Sequence, residues 1–105
     1  MGWGVAMPKP NLQPADPLAA LRAEIDAVDA ELVRLFARRF KLVRAIGAEK
    51  AKHGIPVVVP ERIQAVQARI AKLAAEAGLA PEIAGRLWQT IIAEACALEE
   101  DSAEA

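Results

Sequence analysis

Arg39 and Lys50 are the residues of this chain whose types and spacing point most directly to chemistry. From Pro17 to about Lys52 the apolar residues Leu18, Leu21, Ile25, Val28, Leu32, Leu35, Leu42 and Ile46 recur at alternating spacings of three and four. That spacing describes one apolar seam on a long amphipathic helix. Continuing the count puts Arg39 on the seam, between Leu35 and Leu42, where a side chain faces the interior. A buried cation needs an anion. Lys50 follows eleven residues later; at about 100° per residue it shares Arg39's face, roughly 16 Å further along the axis. Two long side chains reaching toward each other over that distance leave room for a small dianion. Each also has an ordinary role: an arginine at a seam edge snorkels to water, and a lysine near a helix C-terminus complements the dipole.

The elements that must position this pair are legible from their start and stop signals. Residues 1–15, with Gly2, Gly4, Pro8, Pro10 and Pro14 and no helical period, read as a flexible arm. Asp16-Pro17 opens the first helix, Asp as N-cap and Pro at the first helical position, and Gly54-Ile55-Pro56 closes it. Val57-Val58-Val59 is a short extended link to Pro60-Glu61, which starts a second helix with Ile63, Val66, Ile70 and Leu73 on its apolar face; Gly78 stops it. Pro81-Glu82 repeats the start signal for a third, with Ile83, Leu87, Trp88, Ile91, Ile92, Ala95 and Leu98. The expectation is an all-α domain over residues 16–101, one long helix and two shorter, with residues 102–105 as a frayed tail. Two short helices cannot cover the long one, so part of its seam should pack against an antiparallel copy in a homodimer. Arg22 lies seventeen residues before Arg39, roughly 25 Å along one helix, too far to share a small ligand within a chain. In an antiparallel pair it meets Arg39 and Lys50 of the partner.

Composition narrows the chemistry. The chain has 105 residues, 54% of them hydrophobic, no Tyr and a formal net charge of −1. Interspersed Lys, Arg, Asp and Glu leave no basic stripe for nucleic acid. No apolar run reaches a membrane span and no signal peptide is recognisable, which points to the cytoplasm. One His (His53), one Cys (Cys96), one Thr (Thr90) and one Ser (Ser102) argue against a Ser-His-Asp or Cys-His nucleophilic site. They offer no spaced metal-ligand set, and no glycine-rich phosphate loop appears. Cys96 and Trp88 are expected in the core, and His53 at a helix end.

Taken jointly, Leu21-Arg22, Glu24-Ile25-Asp26, Asp29, Arg38-Arg39, Lys50, Pro56-Val57, Arg62 and the Leu87-Trp88-Gln89-Thr90-Ile91-Ile92 segment ending near Glu99 resemble the all-helical class of chorismate mutases and the related isochorismate-pyruvate lyases. The register runs from about Leu18 to Glu100. The resemblance implies an intertwined all-α homodimer with two shared sites and a cofactor-free, metal-free Claisen rearrangement of chorismate to prephenate in aromatic amino acid biosynthesis. It assigns Arg22 to a substrate carboxylate across the dimer, Arg39 to the carboxylates from within the pocket, and Arg62 to the pocket wall. Lys50 falls to a carboxylate and the ether oxygen whose bond breaks, and Glu99 to the position of a hydrogen-bond donor to that oxygen.

The chemistry fits a pocket of cations without a nucleophile: it needs the enolpyruvyl arm held over the ring and charge stabilised on the ether oxygen. Guanidinium groups pair bidentately with carboxylates. Val59 and Ile63 depart from the mutase pattern, standing where several mutases carry acids that contact the ring hydroxyl. Pro60-Glu61-Arg62 is shared with the lyases, which make salicylate and pyruvate. Glu99 opens the acidic run Glu99-Glu100-Asp101, which otherwise reads as a solvated helix end; as a donor it must be protonated. The competing readings are therefore a mutase, a lyase of the same fold, and a non-catalytic helical dimerisation module, with a related aminated chorismate also open as the substrate.

Overall fold

The computed structural model describes residues 16–104, with side chains through Ser102. It contains three helices in the order α1 (Ala19–His53), α2 (Pro60–Ala77) and α3 (Pro81–Glu104), with no strand among the described residues. The fold class read from the periodicity is thus all-α; α2 and α3 start at the expected prolines, whereas α1 begins at Ala19, two residues past Pro17, which sits in the turn leading into it. The Asp16 side chain accepts the Leu18 N–H at 2.9 Å, satisfying one of the donors a helix start leaves unpaired. Pro60 and Pro81 open α2 and α3, and the Val59 and Ala80 carbonyls accept the first intrahelical bonds. Residues 1–15, read as an arm, lie outside the described residues. At the other end the helical turn continues to Glu104, into the segment expected to fray; the Ser102 hydroxyl donates back to the Leu98 carbonyl at 2.9 Å.

Both interhelical stops use glycine in the left-handed region, where a β-carbon would clash with its own backbone. Gly54 has φ 66° and Gly78 φ 78°. At Gly78 the cap is complete, its N–H bonding the Ala75 carbonyl and the Leu79 N–H the Ala74 carbonyl. At Gly54 the matching bond runs from the Ile55 N–H to the Lys50 carbonyl at 2.9 Å. That bond turns the chain back over the last turn of α1 at the residue the sequence marks as chemical.

The chain forms two compact units, Met1–Phe36 and Ala37–Ala105. In the first, the described part is the N-terminal half of α1, whose seam residues Leu21, Ile25, Val28, Leu32 and Leu35 are all exposed. In the second, Ile70 and Ala74 of α2 pack on Ala84 of α3, flanked by Val66 and Trp88. Val43 of α1 and Ile91 and Ala95 of α3 are also buried. Ile83 and Leu87 of α3 remain exposed, and no large side chain is wholly buried, so one chain supplies only a thin core. No described helix is long and apolar enough to cross a membrane.

Replacing Gly78 by Ala forces a side chain into the left-handed conformation and should lower stability by about 1 kcal/mol. Urea unfolding at fixed protein concentration checks this; an unchanged midpoint would mean that the cap does not need glycine.

Candidate active site

A cavity of ≈ 220 Å³ opens in the second unit and brings together Arg39, Lys50, Arg62 and Glu99. Each comes from a different position in the chain: Arg39 from the middle of α1, Lys50 from its last turn, Arg62 from the first turn of α2, and Glu99 from α3. The floor and walls are apolar, with Val43, Ile46 and Val57 on one side and Ile92, Ala95 and Cys96 on another. Cys96, expected in the core, is half-buried on this wall.

Lys50 is the most constrained of the four. Its Nζ donates to the Val57 carbonyl at 2.7 Å and to Glu99 Oε1 at 2.6 Å, with side-chain exposures of 17% for Lys50 and 11% for Glu99. A surface cation serving only the helix dipole would be solvated, as its neighbour Lys52 is, paired with the exposed Glu49. An ammonium has three donors. Two are occupied, which fixes the direction of the third.

Glu99 departs from the solvated-end reading of its acidic run. It is buried, whereas Glu100 and Asp101 are exposed. The α3 stripe of Trp88, Ile92, Ala95 and Glu99 turns this carboxylate inward and leaves the next two acids facing water.

Arg39 is half-buried, and its Nη1 is fully buried with no hydrogen-bond partner. Arg39 lines the same cavity as Lys50. A buried donor left unsatisfied costs about 1–3 kcal/mol, so this atom marks where an acceptor is missing. The nearby carboxylate of Glu99 is taken up by Lys50. Arg62 is exposed and stands at the rim. Three cations against one carboxylate give the cavity a net positive character.

Val59 and Ile63 are half-buried and form part of the wall together with Val66. That stretch is purely apolar and offers no side-chain acceptor. Arg22 is not among the lining residues. Its side chain is 67% exposed and lies 3.9 Å from Asp16. The site residues read from sequence thus divide into four that share a cavity and one, Arg22, that does not.

Sequence reasoning missed the Val57 carbonyl, because a backbone acceptor carries no residue signature. It also missed the α1 wall residues Val43 and Ile46 as cavity lining. Their three-residue spacing on the Arg39 face is a signal that could have found them.

The family model described as chorismate mutase type II matches residues 21–100. A 4-amino-4-deoxychorismate mutase of Streptomyces pristinaespiralis is 42% identical over 86 residues, covering 82% of this chain and 67% of that protein. A protein of the same name from Streptomyces venezuelae is 39% identical over 83 residues, covering 79% and 81%. A chorismate mutase of Methanocaldococcus jannaschii is 32% identical over 87 residues, covering 83% and 88%.

Because Arg39 has a buried donor without a partner, Arg39→Met keeps the packing of the stem and removes the cost. Folding stability should stay the same or rise by up to about 1–2 kcal/mol. A urea titration showing a loss of about 2 kcal/mol or more would contradict this reading of Arg39.

Proposed function

We propose that this chain, which belongs to the chorismate mutase type II family, rearranges chorismate to prephenate in a homodimer, with two sites shared between subunits. The observation that carries the reading is Arg39, whose Nη1 is buried without a partner and which lines the same cavity as the Lys50–Glu99 pair. A dicarboxylate supplies the acceptor Arg39 lacks, and the excess of cations in the cavity suits a dianion.

In this reading the reaction needs geometry and charge stabilisation. The C–O bond of the enolpyruvyl ether breaks as a C–C bond forms across the ring, and negative charge builds on the ether oxygen. Arg39 holds a carboxylate, and Arg62 closes the rim. The third donor of Lys50, aimed by the bonds to Val57 and Glu99, meets the developing charge, where a fixed donor is worth more than in the ground state. Glu99 Oε1 accepts from Lys50 in either protonation state. A proton on Oε2 makes Glu99 a second donor to the ether oxygen, whereas the bare carboxylate would repel the substrate. The apolar walls exclude water and strengthen each of these contacts.

The dimer follows from the uncovered seam. Leu21, Ile25, Val28, Leu32, Leu35, Leu42 and Ile46 are exposed in the single chain, a stripe that demands a partner of the same period. An antiparallel copy provides it and carries the partner's Arg22 toward the cavity as a second carboxylate ligand. The domain relevant to function is residues 16–101.

A second reading keeps the fold and changes the substrate. Two relatives are named for the 4-amino-4-deoxy compound, and the Val59, Ile63 wall holds no acceptor that would demand a ring hydroxyl.

The direct test incubates the protein separately with chorismate, 4-amino-4-deoxychorismate and isochorismate, against a Lys50→Ala control. Prephenate formed faster by wild type supports the mutase, and a higher kcat/KM for the amino compound moves the assignment to it. Salicylate with pyruvate would mean a lyase, and no turnover would return the chain to a structural module. If Glu99 donates to the ether oxygen, Glu99→Gln, which carries a permanent donor, should keep or raise kcat/KM; a large loss refutes this role. Shared sites are read from mixed dimers. Arg22→Ala and Arg39→Ala are each inactive, yet an equal mixture after subunit exchange should recover about a quarter of wild-type activity, since half the dimers carry one intact site. No recovery would mean that each chain builds its own site.

A further inference from the structure

Gly47 is one of two buried residues of α1, and nothing in the reaction calls for it. A β-carbon built on it would stand 2.8 Å from Glu99 Cα, 2.9 Å from the Glu99 carbonyl oxygen and 2.9 Å from Ser102 Cβ. Carbon atoms in van der Waals contact keep about 3.5–4.0 Å apart. Two of the three obstructing atoms are backbone and cannot rotate away. A methyl group is accommodated only if α3 moves off α1 by about 0.6–1 Å.

The residue that Gly47 touches is the partner of Lys50, and Lys50 stands three positions beyond Gly47, on the same side of the helix. The close approach and the ion pair are therefore two levels of a single crossing. Gly85 provides the contrast: it lies in α3, is exposed, and would meet nothing within 4 Å. A helix-interior glycine costs about 1 kcal/mol relative to Ala, so at Gly47 the missing side chain has a packing reason that is absent at Gly85.

We propose that Gly47 is a positioning residue for the reaction centre. Its lack of a side chain sets the α1–α3 separation at which Lys50 Nζ reaches Glu99 Oε1 at 2.6 Å. The functional half rests on the reading of Lys50 and Glu99 given above; the geometric half does not. The two bonds of Lys50 respond differently. The Val57 carbonyl follows in sequence seven residues on, in the link that α1 itself turns back, and stays with Lys50 when α3 shifts. The Glu99 bond crosses between helices and lengthens.

The test uses Gly47→Ala, with Gly85→Ala as control and Glu99→Ala as reference. The rate at which an amine-directed acylating reagent modifies Lys50 is measured by mass spectrometry relative to Lys41 and Lys52, beside kcat and KM. In Gly47→Ala, Lys50 should be modified severalfold faster, approaching the Glu99→Ala rate. Its kcat should fall at least tenfold with a smaller change in KM, and adding Glu99→Ala should cost little more. Gly85→Ala should match wild type. A folded Gly47→Ala with wild-type Lys50 reactivity overturns the proposal, as does a kcat loss that adds in full to that of Glu99→Ala. If Gly47→Ala does not fold, Ser102→Val decides, because its branch begins at the β-carbon that abuts Gly47: faster Lys50 modification supports the proposal and an unchanged rate overturns it. Should wild type turn over no substrate, the functional reading fails while the Lys50 reactivities still judge the geometry.

Discussion

An ammonium group withdrawn from water must recover its hydrogen bonds from protein, and at Lys50 that requirement ties three stretches of chain together. Its Nζ meets the Val57 carbonyl of the α1–α2 link and the Glu99 carboxylate of α3. Its own carbonyl takes the Ile55 N–H that closes α1. Removing one partner of such a pair leaves the other buried and unpaired, which costs far more than the pair contributes. The end of α1, the turn of the link and the approach of α3 are in this sense one problem with one solution.

Arg39 faces the same cavity under the opposite condition. The fold supplies Lys50 with acceptors and leaves Arg39 Nη1 with none. In the proposed reaction, one cation is the donor held by protein and the other is the one that takes the ligand. A site that must aim a donor at charge appearing only during reaction, and also bind the groups that carry substrate charge throughout, needs both conditions at once. The unsatisfied arginine is a cost to folding, of the kind stable proteins accumulate where they bind.

Most of the architecture was legible because its signals are local. Pro60 and Pro81 mark helix starts and Gly54 and Gly78 mark stops through their own conformational limits, and all four act as read; Asp16 takes the Leu18 N–H, but α1 opens only at Ala19. The shared face of Arg39 and Lys50 was legible from helical geometry alone. Glu99 was not separable from Glu100 and Asp101 by composition, since its burial depends on which face of α3 turns inward. The Val57 carbonyl and the Gly47 contact were hidden for a related reason: both involve backbone atoms brought close by packing. Arg22 illustrates a different limit. Its proposed role depends on a second copy of the chain, and along one helix it reaches only Asp16.

In the proposed enzyme the Lys50–Glu99 contact serves the fold and the chemistry together. A double-mutant cycle of Lys50→Met and Glu99→Leu, read in both urea unfolding and kcat/KM, tests it most directly. Each single change should cost at least as much as the pair, with a coupling of at least about 1 kcal/mol in each readout. Additive effects in either readout would contradict it, meaning that the two side chains meet without depending on one another.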